Sequence, residues 1–371
     1  MDLMEYRAKQ LFIQYGIAAT NGPIITSADE LDNEGMPEYP VMIKAQVPTG
    51  GRGKAGGIKF CKDKEAAKKA ANDIIGMSIK GHEVKKALVT YAHPIMSEIY
   101  LAITLDRALN CPVILYCDQG GMDIEAHPEA VKRVPINPVI GLRDYHARYL
   151  NPSKEFYALL QKFYKLFCEY DCLLCEINPL SPTEDGGFIA IDGKVTVDDS
   201  AMKRHPDLAD YAATFERHEL SIEAEKFNFL YIPCDMSGDV AVMSNGSGML
   251  MSCMDALATK GITVRATLDL GGGATAERIR EAVRIISCEK EIKQVFINIF
   301  GGITRCDEVA GGIRAAIEEY GINKPVVARF EGTNKEKGLE ILSGVSGVDY
   351  AAGLVEGVEL IAKQRKDGIV K

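Results

Sequence analysis

The sequence predicts an α/β protein of two domains, the second a parallel doubly wound sheet. Three observations carry this expectation. From Val240 onward a strand-like run leads into a helix-like run five times, which is the pattern of parallel strands joined by crossover helices. Ahead of that, strands paired through turns alternate with helices, and the pattern changes across residues 219–239. The length, 371 residues at 47% hydrophobic, suffices for two domains or more. The expected division is 1–218 and 219–371, with a small lid-like lobe at about 20–95.

Residues 3 to 15 place Leu3, Tyr6, Ala8, Leu11, Phe12 and Tyr15 near helical spacing, and Gly16 stands where a C-cap would. Ile17 to Thr26 reads as extended. Ser27 to Glu30 reads as the start of a short helix with a serine N-cap and a capping-box glutamate. Val41 to Lys44 is a strand. After the loop that follows it, Ile58 to Phe60 is its return. Lys62 to Met77 is helical, with Ala66, Ala67, Ala70 and Ile74 on one side. Strands follow at Lys86 to Tyr91, Glu98 to Asp106 and Pro112 to Cys117. Phe156 to Tyr170 is an amphipathic helix with Leu159, Phe163, Leu166 and Phe167 inward.

The loop between the first two strands holds five glycines, with Arg52 and Lys54 among them. Glycine lets backbone N–H groups turn toward one point, and N–H groups with cationic side chains make a site for a polyanion such as a nucleoside triphosphate. It is not a P-loop, because Ala55 follows Lys54 where Ser or Thr would be required. Further on, Leu173 to Leu180 pairs with Phe188 to Lys194 through the turn Glu184 to Gly187. Strand alternation sets Glu176 and Asn178 on one face, and antiparallel pairing brings Asn178 toward Asp192. An amide oxygen and a carboxylate, completed by phosphate oxygens and water, suit magnesium.

In the second half, strands at Val240 to Met243, up to Leu270, Val295 to Ile299 and Val326 to Arg329 each empty into a Gly-rich or Gly-Thr turn, and each turn opens a helix. A fifth strand at Val348 to Ala351 leads to the helix Leu354 to Arg365. Turns beyond the carboxyl ends of such strands are where ligands bind in open α/β sheets, and helix N-termini there favour an anion. Asn245, Thr304 and the peptide groups near Gly302 can hydrogen-bond a carboxylate.

Composition narrows the function classes. A net charge of −9 argues against nucleic acid as the main partner, and no apolar run is long enough to span a bilayer. The acidic, amphipathic start is unlike a secretory signal. Ten cysteines, most in apolar runs, read as thiols of a reducing, cytoplasmic compartment, and the lone pair Cys172 and Cys175 reads as core packing.

Four stretches in order carry a resemblance: Gly50 to Gly57, Cys175 to Leu180, Leu270 to Thr275 and Asn298 to Asp307. Through them the chain resembles, over nearly its whole length, the β subunit of succinyl-CoA synthetase. The resemblance implies an N-terminal ATP-grasp domain followed by a flavodoxin-like CoA-ligase domain, and a ligase of the tricarboxylic acid cycle. It implies that succinate, CoA and ATP or GTP interconvert with succinyl-CoA, nucleoside diphosphate and phosphate. A phosphohistidine on a partner α subunit would carry the phosphoryl group, that partner would bind most of the CoA, and the assembly would be αβ or α2β2. None of the six histidines here sits in the small-residue loop of that partner. Carried over, Lys44, Gly51, Arg52, Gly53, Thr90, His93 and Glu98 would bind nucleotide, and Asn178 and Asp192 would bind Mg2+. Glu176 would orient the phosphohistidine. Asn245, Gly302, Ile303 and Thr304 would hold succinate.

Two positions depart from the family pattern. Thr90 stands where the family usually has an acidic residue, which leaves ATP or GTP open, and Pro48 where it often has a histidine. Three other functions fit the same motifs: a ligase for malate or a related diacid, a self-contained ATP-grasp ligase, and a non-catalytic nucleotide-binding scaffold.

Overall fold

The computed structural model describes residues 1–120, 128–215 and 218–368. The chain separates into two units, Met1–Thr214 and Phe215–Lys371. In the first, helix α1 (Glu5–Gln14) precedes strand β1 (Ile24–Ile25), β2 (Val41–Ala45), β3 (Ile58–Cys61), helix α2 (Lys64–Ile74) and a ribbon of β4 (Ser78–Ile79) and β5 (His82–Glu83). Then come β6 (Ala87–Tyr91), β7 (Ile99–Asp106), β8 (Cys111–Cys117), β9 (Lys132–Pro135), α3 (Asp144–Leu150) and α4 (Lys154–Glu169). The unit ends with β10 (Cys172–Pro182), β11 (Phe188–Ala190), β12 (Gly193–Val197) and α5 (Pro206–Ala212).

Apart from the β4–β5 ribbon, these strands make two antiparallel sheets. The smaller has the order β1-β6-β2-β3. Its Ile43 and Val89 meet Ala67, Ala71 and Ile74 of α2, the alanine-lined side that helical spacing had marked. The larger runs β11-β10-β7-β8-β9, with β12 also on β10. Its inward residues Leu101, Ile103, Cys175 and Ile177 pack on Phe12 of α1 and Phe163 of α4. Both cysteines of the Cys172/Cys175 pair are buried and free, as the packing expectation held. One local expectation holds in part: residues Ala28–Asp32 form a short 3-10 helix with Ser27 at its N-cap position, but the Ser27 side chain makes no cap. The Glu30 carboxylate accepts from the Thr26 N–H at 3.0 Å, one residue before the N-cap.

The second unit holds α6 (Glu219–Glu225), β13 (Leu230–Pro233), β14 (Val240–Ser244), α7 (Ser247–Ala258), β15 (Val264–Asp269) and α8 (Ala276–Ser287). It continues with β16 (Gln294–Gly301), α9 (Cys306–Tyr320), β17 (Val326–Gly332), α10 (Lys335–Leu342), β18 (Val348–Tyr350) and α11 (Leu354–Lys366). The sheet order is β13-β15-β14-β16-β17-β18. The last five strands in the chain are parallel to one another, as alternation predicted. Strand β13, inside the 219–239 stretch where the sequence pattern changes, adds an antiparallel edge on β15. Both faces of the sheet are covered, which is why its central strands β14 and β16 are buried along most of their length and mainly apolar. Ile279, Val283 and Ile313 of α8 and α9 cover one face, and Leu250, Leu257, Val358 and Ile361 of α7 and α11 cover the other.

Candidate functional site

The β10 hairpin sets the chemistry of the first unit. Strand β10 pairs with β12 as far as Ile177↔Gly193 and with β11 from Leu180↔Ala190. The same register runs through both pairings and sets Asn178 opposite Asp192. Between them the Ile191 N–H donates to the Pro179 carbonyl at 3.0 Å. Cys175 and Ile177 face the core, so the alternate residues Glu176 and Asn178 turn to a cavity of about 470 Å3. Asp192, Gly51, Arg52 and Gly53 line the same cavity.

The glycine loop closes the hairpin of β2 and β3, which pair from Val41↔Cys61 to Lys44↔Ile58. Its N–H groups do not all turn to one point, as the composition had suggested. Those of Ala55, Gly56 and Gly57 donate within the loop to the carbonyls of Gly51, Gly53 and Arg52 at 3.2, 3.0 and 2.8 Å. Gly51 takes a φ of +82°, in the region that favours glycine. Arg52 turns inward and is 8% exposed. Its Nη2 donates to both carboxylate oxygens of Asp192 at 2.8 and 2.9 Å, and its Nη1 to Glu5.

Glu5 and Lys9 are the residues that sequence reasoning missed. The Glu5 side chain is fully buried and meets Lys9 at 2.6 Å, Lys44 at 2.9 Å and Arg52. Lys44 also donates to the Ile191 carbonyl at 2.9 Å, and Lys9 to the Thr20 hydroxyl at 3.0 Å. Burial pushes the Glu5 carboxyl up, but Arg52, Lys44 and Lys9 together hold it well below the usual range. Burial lowers Lys9 to about 8 against the pull of Glu5. It acts on Lys44 too, yet Glu5 and Asp192 keep that amine above its ordinary value. A signal existed in the sequence. On α1, Glu5 and Lys9 share the helical stripe of Ala8 and Phe12, where a charge must find partners.

A second cavity, of about 510 Å3, shares Ile58, Pro179 and Asp192 with the first. Lys44, Thr90, His93 and Glu98 line it, alongside the apolar Met42, Phe60 and Ile95. The Thr90 hydroxyl oxygen is buried and has no hydrogen-bond partner among the described residues.

The four residues expected to take an acid gather in the second unit, beyond the carboxyl ends of β14 and β16. There the strand order reverses and ligands bind in such sheets. The Asn245 amide donates to the Phe300 carbonyl at 2.9 Å and accepts from its N–H at 3.0 Å, so it extends the ladder by one side chain. Thr304 is buried. Its hydroxyl accepts from the Gly273 N–H at 3.0 Å and its carbonyl from the Gly302 N–H at 3.1 Å. Ile303 between them is 87% exposed. Among the described residues no helix is long and apolar enough to cross a membrane.

An ATP-grasp domain family matches residues 2–182, and a CoA-ligase family matches residues 243–352. The succinate–CoA ligase (ADP-forming) β subunit of Desulfatibacillum aliphaticivorans is 42% identical over 364 residues, 92% of this chain and 94% of that one. The corresponding subunit of Desulforapulum autotrophicum is 41% identical over 385 residues, 98% and 99% of the two chains. That of Aquifex aeolicus is 39% identical, with coverage of 98% and 100%. Among solved structures, ATP citrate lyase from Methanothrix soehngenii, in complex with citrate and coenzyme A, shares the fold. Its TM-score is 0.78 over 98% of this chain and 99% of that one, at 18% identity.

Proposed function

The chain belongs to the family of succinate–CoA ligase (ADP-forming) β subunits, and from that premise we propose that its first unit binds a magnesium–nucleoside triphosphate. With an α subunit it would interconvert succinate, CoA and the triphosphate with succinyl-CoA, the diphosphate and phosphate. One observation carries the reading: the β10 register that sets Asn178 opposite Asp192, in a cavity wall shared with the glycine loop.

Lys44 and Arg52 neutralise the phosphates, and Gly51 and Gly53 let them approach the backbone. Thr90, His93 and Glu98 face the nucleoside in the mainly apolar second cavity. The donor set fits magnesium, since an amide oxygen and a carboxylate leave room for phosphate oxygens and water. No group of three or more His, Cys, Asp or Glu that could hold a metal occurs among the described residues, and magnesium bound through phosphate needs none. When bound, it supplies charge neutralisation at the phosphates. Phosphoryl transfer asks mainly for placement and electrostatics. This chain's part is therefore to hold the donor, with Glu176 orienting the partner's phosphohistidine. Succinate would sit at the turn Gly302, Ile303, Thr304 and Asn245, and CoA mainly on the partner. The ADP-forming relatives favour ATP over GTP. Ten unpaired cysteines suit the cytoplasm.

The test mixes the purified chain with an α subunit, Mg-ATP, CoA and a panel of diacids. We expect labelled phosphate on the partner's histidine and thioester formation greatest with succinate. Asp192→Asn, which keeps an oxygen for Arg52, is expected to abolish the magnesium-dependent labelling. Thioester formation without a partner would mean a self-contained ligase. Preference for malate would change the acid alone. Nucleotide binding without phosphate transfer would sink the enzymatic reading.

A further inference from the structure

Glu5 belongs to no role described above, yet it is paired with three cations at the edge of the first unit's cavities. Its fully buried carboxylate reaches Lys9 on its own helix, Lys44 on β2 and Arg52 in the glycine loop. It lines the first cavity beside Arg52 and Asp192. A buried carboxylate costs several kcal/mol unless paired, and breaking such a pairing leaves a charge uncompensated. Three cations here face two carboxylates, Glu5 and Asp192, so the cluster keeps one positive charge in excess. Arg52 spans the two acids, with Nη1 on Glu5 and Nη2 on Asp192. A polyphosphate drawing on Lys44 and Arg52 must compete with Glu5 for them.

We propose that Glu5 is a positioning residue of the nucleotide site, a built-in counter-ion that holds Lys44 and Arg52 in place and that the phosphates partly displace. This rests on the nucleotide reading above. It follows that Glu5 weakens nucleotide binding while it stabilises the nucleotide-free chain. A residue with a structural role alone would do only the second.

The experiment compares the full chain with Glu5→Gln and Glu5→Asp, by thermal melting and by calorimetric titration with Mg-ATP and with inorganic tripolyphosphate. Glu5→Gln is expected to lower the Tm and to tighten both ligands on the order of tenfold, the effect of one lost charge near a charged ligand. Glu5→Asp, which keeps the charge, is expected to bind both as the parent does. A lower Tm with unchanged or weaker binding in Glu5→Gln would overturn the proposal. If Glu5→Gln does not fold, Lys9→Met serves, since it leaves the Glu5 charge to Lys44 and Arg52 alone. Both ligands should then bind at least about threefold more weakly, and unchanged or tighter binding would overturn the proposal. A parent chain that bound no Mg-ATP would remove the nucleotide reading itself, whereas a parent that binds and a Glu5→Gln that behaves like it remove only this inference.

Discussion

Glu5 and Lys9 are buried ions on a helix whose spacing reads as ordinary amphipathic packing. Helical periodicity reports which side is inward and says nothing of what waits there. Lys44 and Asp192 drew notice because one leads into the glycine loop and the other lies opposite Asn178 in a hairpin, whereas two of the three cationic partners of Glu5 come from residues 39 and 47 positions away. The cluster has a pH signature. The Glu5 carboxyl is depressed on folding from an ordinary 4.5, so its stabilisation is full above that value and is lost as pH falls toward the folded value. The parent's Tm should therefore fall more steeply below about pH 4.5 than that of Glu5→Gln, and superimposable acid limbs would contradict this. Lys9 acts in the opposite sense. Its amine is lowered from 10.5 to about 8, so the unfolded chain holds the proton longer and burial becomes easier as pH rises between those values.

The β10 hairpin was legible as a pair because its turn and its alternation agree, and the face shared by Glu176 and Asn178 followed from period two. Its support was not legible. Gly193 opens β12 next to Asp192, and a Cβ there would run into the ring of Phe12 on α1, which is fully buried against Phe163 of α4. Gly193→Ala should destabilise the chain by about 1–3 kcal/mol, the range for overpacking a core, and should weaken Mg-ATP binding through the displaced Asp192. Melting and titration together test this, and a variant matching the parent in both would refute the packing argument. Strand β13 and the Ala28–Asp32 helix show the same limit, since short segments take their form from the neighbour they meet.

Every residue lining the two adjoining cavities lies in Met1–Thr214. That unit has its own apolar cores, so a chain ending at Thr214 is expected to keep Mg-ATP binding within about threefold of the full chain and to lose all thioester formation. Calorimetry on the fragment decides it. Loss of nucleotide binding in a folded fragment would mean that the site needs more of the chain.

The five repeats of strand and helix were enough to determine a doubly wound second half, because burial on both faces writes itself into every strand. The motifs were enough to determine the family and to point to the residues to test. The tertiary structure decided the strand order, the edge strand β13 and the inward turn of Arg52 onto Asp192. It also decided that Lys44 and Arg52 share a buried acid from the first helix. The reason is physical: periodicity and local motifs act over a few residues, while the partner of a buried charge is chosen by whichever distant element the fold brings within hydrogen-bond reach.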